Sequence, residues 1–167
     1  LVSAGGGSVG GDLFAAALGA AALDGVRAWR ILVGGGATGI AELRAQAPAN
    51  CTVEPARPDF RQMLCGAAVS VSMCGYNTAL DVLQTGVRAV FVPFDKGDEV
   101  EQGLRADALA EQSGISVLRY GVMTPQRLLA AVNETLAAAP RAPLTTGVDG
   151  AAQTVRIARE IVSGNAG

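Results

Sequence analysis

The chain has 167 residues, half of them hydrophobic but only 4% aromatic, with 22 glycines and a formal net charge of −2. That length suits one domain with a substantial core, and scattered Lys and Arg residues give no electrostatic footprint for nucleic acid. With no His at all, imidazole serves neither as metal ligand nor as general base within the chain.

In chain order, an apolar start over residues 1–4 runs into Gly5-Gly6-Gly7-Ser8-Val9-Gly10-Gly11-Asp12, then an Ala- and Leu-rich stretch over 13–23. This predicts strand, glycine loop and helix. Residues 29–33 read as a second strand closed by Gly34-Gly35-Gly36, and 39–46 as a helix. Residues 51–54 form a third strand ended by Pro55 and Pro58, after which Asp59 is expected to cap a helix running to 65. The pattern repeats with a strand at 68–72, a helix at 77–84 stopped by Gly86, and a strand at 89–93. A helix over 99–112, a strand at 115–119, a helix over 125–138, a loop over 140–146 and a last helix over about 150–163 complete the order. Six short apolar runs separated by helices predict a doubly wound parallel α/β sheet, Rossmann-like, with helices on both faces.

The longest apolar stretches, residues 15–23 and 89–93, fall well short of the roughly 20 residues of a membrane-spanning helix. Cys51, Cys65 and Cys74 are odd in number and lack the paired spacing of a zinc site, so reduced thiols and a cytoplasmic setting are expected. The start at Leu1-Val2-Ser3, without Met, suggests a piece of a longer protein.

Gly5-x-Gly7-x-x-Gly10 satisfies the dinucleotide fingerprint and sits between a strand and a helix. NAD or FAD also asks for a ribose-binding carboxylate after the second strand, but that strand ends in Gly34-Gly35-Gly36, and Asp24 precedes it. No Walker lysine follows either. The glycines therefore serve a sharp turn and close helix packing, or bring Gly7 and Ser8 towards a phosphate across a cleft.

The segment from Ser70 to Gln102 is richer. Gly75 permits a tight turn, and Asn77 and Thr78 are placed to cap a helix or to bond an anion at its positive N-terminus. Asp81 lies one turn further along the same face, where a carboxylate accepts two ribose hydroxyls. The strand Val90-Phe91-Val92-Pro93-Phe94 ends at the carboxyl edge of the sheet and delivers Glu101 and Gln102 there, polar enough to bond a sugar. Read singly, the same residues are ordinary caps and a solvated charge.

Together, Cys74-Gly-Tyr-Asn-Thr-Ala-Leu-Asp81, the Gly86 stop, the Val-Pro-Phe strand end and Glu101-Gln102-x-x-Arg105-Ala106 resemble the C-terminal, donor-binding domain of GT-B glycosyltransferases. Family 28, typified by the UDP-N-acetylglucosamine transferase that completes lipid II, is the nearest match, and the spacing resembles a separate bacterial branch of it. The resemblance implies that Gly75, Asn77 and Thr78, with Gly7 and Ser8 across the cleft, hold the donor diphosphate. It implies Asp81 for the ribose, where the family carries glutamate, and Arg57 in the loop Ala56-Arg57-Pro58 for the base. Glu101 and Gln102 fall where family glutamines touch the sugar, and Arg105 replaces an asparagine.

The resemblance further implies a UDP-sugar donor, no cofactor, no catalytic metal, and no catalytic residue in this chain. The base that deprotonates the acceptor would come from an N-terminal acceptor domain, absent here. By itself the chain would bind donor without turning it over, and a membrane-associated acceptor would bring the protein to the inner membrane face. Two rivals stay open, a UDP-sugar 2-epimerase half-domain and a non-catalytic subunit that recruits a membrane-bound partner.

Overall fold

The computed structural model describes residues 1–4, 10–34, 39–95, 100–145, 154–157 and 159–161. Its strands are β1 (Val2–Ser3), β2 (Trp29–Val33), β3 (Cys51–Pro55), β4 (Ser70–Ser72), β5 (Ala89–Phe91) and β6 (Ile115–Val117). Its helices are α1 (Gly11–Asp24), α2 (Ile40–Gln46), α3 (Phe60–Gly66), α4 (Tyr76–Thr85), α5 (Glu101–Ala110) and α6 (Pro125–Ala137), with a 3₁₀ turn at Tyr120–Val122. Every strand pairing is parallel, in the order β3-β2-β1-β4-β5-β6. Parallel neighbours cannot be joined by a hairpin, so each connection crosses over the sheet through a helix.

The expected elements are all found, with shifted ends. The strand expected to reach Pro93 stops at Phe91, because proline has no N–H for the ladder; Val92 N–H still donates to Ser72 O at 2.8 Å. The helix starting at residue 13 in the sequence reading begins two residues earlier, at Gly11. Of the last expected helix, residues 154–157 and 159–161 are helical. The 3₁₀ turn at Tyr120 was not anticipated.

Strand side chains alternate between two faces. Val2, Ile31, Val71, Val90 and Val92 pack with Leu13, Phe14 and Ala17 of α1 and Leu128 and Val132 of α6. On the other face Ala89 and Phe91 meet Leu64 of α3, Ala79 and Val82 of α4 and Ala106 of α5. Phe91 is fully buried, worth roughly 1.5–3 kcal/mol of transfer free energy.

The chain turns to opposite sides after β1 and β4, so the loops at their carboxyl ends diverge and open a crevice. α1 and α4 both start at this crevice. Gly10 has a packing reason to be glycine, since a Cβ there would lie 2.4 Å from Ala4 Cβ and 2.9 Å from the Phe14 ring.

The far end of α4 is closed by the chain itself. Gly86 adopts φ +71° and donates to Val82 O at 3.1 Å. Arg141 donates to Val82 O at 2.8 Å and to Leu83 O and Val87 O at 3.3 Å, and Leu144 N–H reaches Leu83 O at 2.8 Å. The segment expected as a plain loop over 140–146 therefore places a cation on the negative end of α4 and satisfies its last carbonyls.

Candidate functional site: the crevice at the carboxyl edge

Gly75 is the N-cap of α4, in extended conformation (φ −65°, ψ 151°), and no side chain caps the helix. Asn77 and Thr78 lie inside the first turn, so the expectation that they cap α4 is corrected: the helix starts one residue before Asn77. The first intrahelical bond at this end is Ala79 N–H to Gly75 O, 2.9 Å. The N–H groups of Tyr76, Asn77 and Thr78 precede it and have no intrahelical acceptor. A Cβ placed on Gly75 would meet nothing within 4 Å among the described residues, so none of their contacts requires glycine there. Among the described residues, open space lies over a positive helix end.

Beneath this turn, Ser3 and Ser72 are register partners at the last positions of β1 and β4. Both are buried, at 7% and 0% exposure, and neither hydroxyl has a hydrogen-bond partner among the described residues. Unpartnered buried hydroxyls are uncommon and mark polarity left for a ligand or an ordered water.

Asp81 lies in the second turn of α4, half-buried. Arg61 of α3 reaches its Oδ1 with Nε at 3.0 Å and Nη2 at 2.9 Å, and also donates to Gln84. Both contacts to Asp81 fall on one oxygen, leaving Oδ2 with its acceptor capacity. Arg57, at the end of β3, is gripped in a two-pronged pair with Asp59 (2.8 and 2.7 Å) and lies 3.6 Å from Glu54. The hydrogen bonds from Arg57 hold the Asp59 carboxyl below the usual carboxylate range. Asp59 occupies the N-cap position of α3 but makes no side-chain cap bond, because its carboxylate is committed to Arg57; that capping expectation is also corrected.

Glu101 opens α5 with its side chain largely in solvent, and Gln102 Oε1 accepts from Phe94 N–H at 3.3 Å. Phe94 stacks edge-on against Tyr120 at 5.5 Å and 83°, and the Tyr120 hydroxyl donates to Asp12 at 2.6 Å in the first turn of α1. Burial, reinforced by the Asp12 bond, pushes the phenol up to about 12, so it stays a donor. This chain of contacts ties α5, β5, β6 and α1 together beside the crevice. Asp12 and Tyr120 lie 108 positions apart, and no local pattern marks them as partners.

Arg105 of α5 donates through Nη1 to the carbonyl of Cys74 at 2.7 Å. Burial pushes the Cys74 thiol up to about 11, against the opposing charge of Arg105. Gly7 and Ser8 lie outside the described residues; the ends of their loop, Ala4 and Gly10, pack against each other at the carboxyl edge of β1. Among the described residues no group of three His, Cys, Asp or Glu side chains is arranged to hold a metal ion, and no helix is long and apolar enough to cross a membrane. A cleft of about 670 Å³ opens at the opposite, amino edge of the sheet, between Leu1, Arg27, Trp29, Asn50 and Met63, and none of the expected site residues lines it.

Comparison with known proteins bears on the fold and the family. Crystalline MurG of Acinetobacter baumannii is similar at 25% identity and a TM-score of 0.63, over 80% of this chain and 40% of MurG. The calicheamicin glycosyltransferase CalG4 is 22% identical with a TM-score of 0.60, over 81% of this chain and 33% of that one. Glycosyltransferase VinC, solved in complex with dTDP, is 22% identical with a TM-score of 0.61, over 81% and 32%. At 22% identity, CalG4 and VinC show the fold alone. The chain thus spans about two fifths of MurG and a third of the others. None of the curated protein sequences matches it. The family described as glycosyltransferase family 28 C-terminal domain matches residues 6–154, nearly the whole of the six-stranded domain and its crevice, and the chain belongs to that family.

Proposed function

We propose that the chain is the donor-binding domain of a glycosyltransferase that moves a hexosyl group from a UDP-sugar to an acceptor hydroxyl. The observation that carries this reading is the start of α4, where three N–H groups without intrahelical acceptors and a space over Gly75 that no described residue fills face the crevice of an open α/β sheet. Gly75, Asn77 and Thr78 hold the diphosphate, with Gly7 and Ser8 opposite. Asp81 takes the ribose hydroxyls through Oδ2, Arg57 lies at the base, and Glu101 and Gln102 reach the sugar.

In the reaction the acceptor oxygen bonds to the anomeric carbon while the bond from that carbon to the diphosphate breaks. The electron pair goes to the diphosphate, where the helix N-terminus and its oriented N–H groups stabilise it. The acceptor proton passes to a base in an N-terminal acceptor domain, and the chain alone binds donor without turnover. A membrane-associated acceptor places the protein at the inner membrane face.

Calorimetry with UDP, dTDP and UDP-sugars tests this against Asp81→Ala and Thr78→Ala. Losing one charge-assisted bond should lower UDP affinity about 10- to 100-fold in Asp81→Ala. Unchanged UDP binding in both variants rejects the site, and tighter binding of dTDP than UDP rejects uracil as the base.

A further inference from the structure

Arg105 bridges from α5 to the turn that starts α4. Its Nη1 is 2.7 Å from the carbonyl of Cys74, the residue before Gly75, and its guanidinium carbon lies 5.9 Å from the ring centroid of Tyr76, the residue after it. The cation therefore sits against the space over Gly75 that no described residue fills. Its other contact is with Glu101 at 3.9 Å, beyond hydrogen-bond distance, and the Glu101 side chain is 82% exposed. A guanidinium has five N–H donors, and among the described residues the only hydrogen bond it makes is the one to Cys74.

This position is electrostatically odd for a chain that had only to fold. The N-terminus of α4 carries about half a positive charge, so a cation beside it is repelled, and a single carbonyl offsets that only in part. An anion between the two reverses the sign of both interactions. The fully buried Ser72 hydroxyl, three residues before Gly75 and without a partner among the described residues, independently marks unmet polarity under the same turn.

We infer that Arg105 is a direct ligand of the diphosphate of the bound nucleotide, supplying from α5 the full positive charge that the α4 backbone provides only in part. The inference rests on the donor-site reading and goes beyond the diphosphate residues of that reading, all of which belong to the two glycine-containing loops and the first turn of α4. Forked N–H donors match a phosphate with two parallel bonds, a geometry that lysine cannot reproduce.

The test compares UDP, by calorimetry, with uridine, by ligand-observed NMR, on the unaltered chain, Arg105→Gln, Arg105→Lys and Asp81→Ala, with melting temperatures as the folding control. Arg105→Gln should lower UDP affinity about 10- to 100-fold and leave uridine within about twofold, with a shallower dependence of UDP binding on salt. Should Arg105→Gln not fold, Arg105→Lys decides: a loss of UDP affinity with uridine unchanged is expected, and no loss overturns the inference. Equal losses of UDP and uridine in Arg105→Gln would mean that the side chain only positions the turn, which also overturns it. Unchanged UDP binding in Arg105→Gln with weakened binding in Asp81→Ala overturns this inference and leaves the donor site standing. Absence of UDP binding by the unaltered chain overturns both.

Discussion

Glycine closes both ends of α4, and alanine is expected to have opposite effects at the two. At Gly75 the backbone is extended, and an added Cβ meets nothing within 4 Å among the described residues. Alanine gains roughly 0.4–1 kcal/mol there from a stiffer unfolded chain. It loses a comparable amount as a poorer N-cap than glycine, so stability should change by less than about 1 kcal/mol. At Gly86 φ is +71°, and a Cβ would lie 2.8 Å from the Arg141 carbonyl oxygen and 2.9 Å from Pro143 N. The left-handed conformation costs alanine roughly 1–2 kcal/mol. Displacing residues 141–143 loosens the Arg141 bonds to α4, adding about 1–2 kcal/mol. Gly86→Ala should therefore cost about 2–4 kcal/mol, a fall of about 5–15 °C in Tm.

Nucleotide binding should show the reverse order. A methyl group on Gly75 fills the space through which a diphosphate reaches the Tyr76, Asn77 and Thr78 N–H groups, lowering UDP affinity by about tenfold or more. Gly86→Ala, assayed cold where it stays folded, should bind nearly as the parent does. Thermal melts and calorimetric titrations on the same samples measure both effects. A Gly75→Ala variant that binds UDP as tightly as the parent would refute the assignment of that space to a ligand, and a Gly86→Ala variant with the parent's Tm would refute the steric reasoning.

Three further outcomes follow from individual side chains. Cys65 is exposed while Cys51 and Cys74 are buried, with Cys74 held protonated at about 11; alkylation at pH 8 should modify one thiol rapidly, and Cys65→Ser should abolish that fast phase. Tyr120 is raised by burial and by its bond to Asp12 from 10.0 to about 12. Its contribution, up to about 3 kcal/mol, is complete below the unfolded value and is lost as pH rises through the folded one; urea melts from pH 8 to 12 should lose this dependence in Tyr120→Phe. Burial pushes the Asp24 carboxyl up, but bonds from Arg27 Nε (2.7 Å) and Trp29 Nε1 (2.8 Å) outweigh it and hold the group below 3.8. That stability is present above the unfolded pKa and lost as pH falls through the lower folded value, so Asp24→Asn should cost about 1–3 kcal/mol at pH 7 and flatten the acid limb of the same melts.

The alternation of strands and helices was legible because it is a local property. Apolar runs, proline stops and glycine ends act over a few residues, and Gly86 does in the fold what its type predicts, while Pro93, read as the end of a strand, stops the ladder at Phe91. Their company also placed Asn77, Thr78 and Asp81 on one helix that follows the Gly75 turn at the carboxyl edge of the sheet. The partners of the polar side chains were not legible, since they come from elements brought together only by folding. Arg61 bonds Asp81 across 20 positions, Arg141 closes α4 across 59, and Tyr120 meets Asp12 across 108. Asp59 makes no cap because Arg57, two residues away, holds its carboxylate in a two-pronged pair. Local periodicity thus determined the order of elements and the helix that carries the crevice. Tertiary packing decided which charges meet, because a side chain's partner depends on where distant helices lie on the sheet.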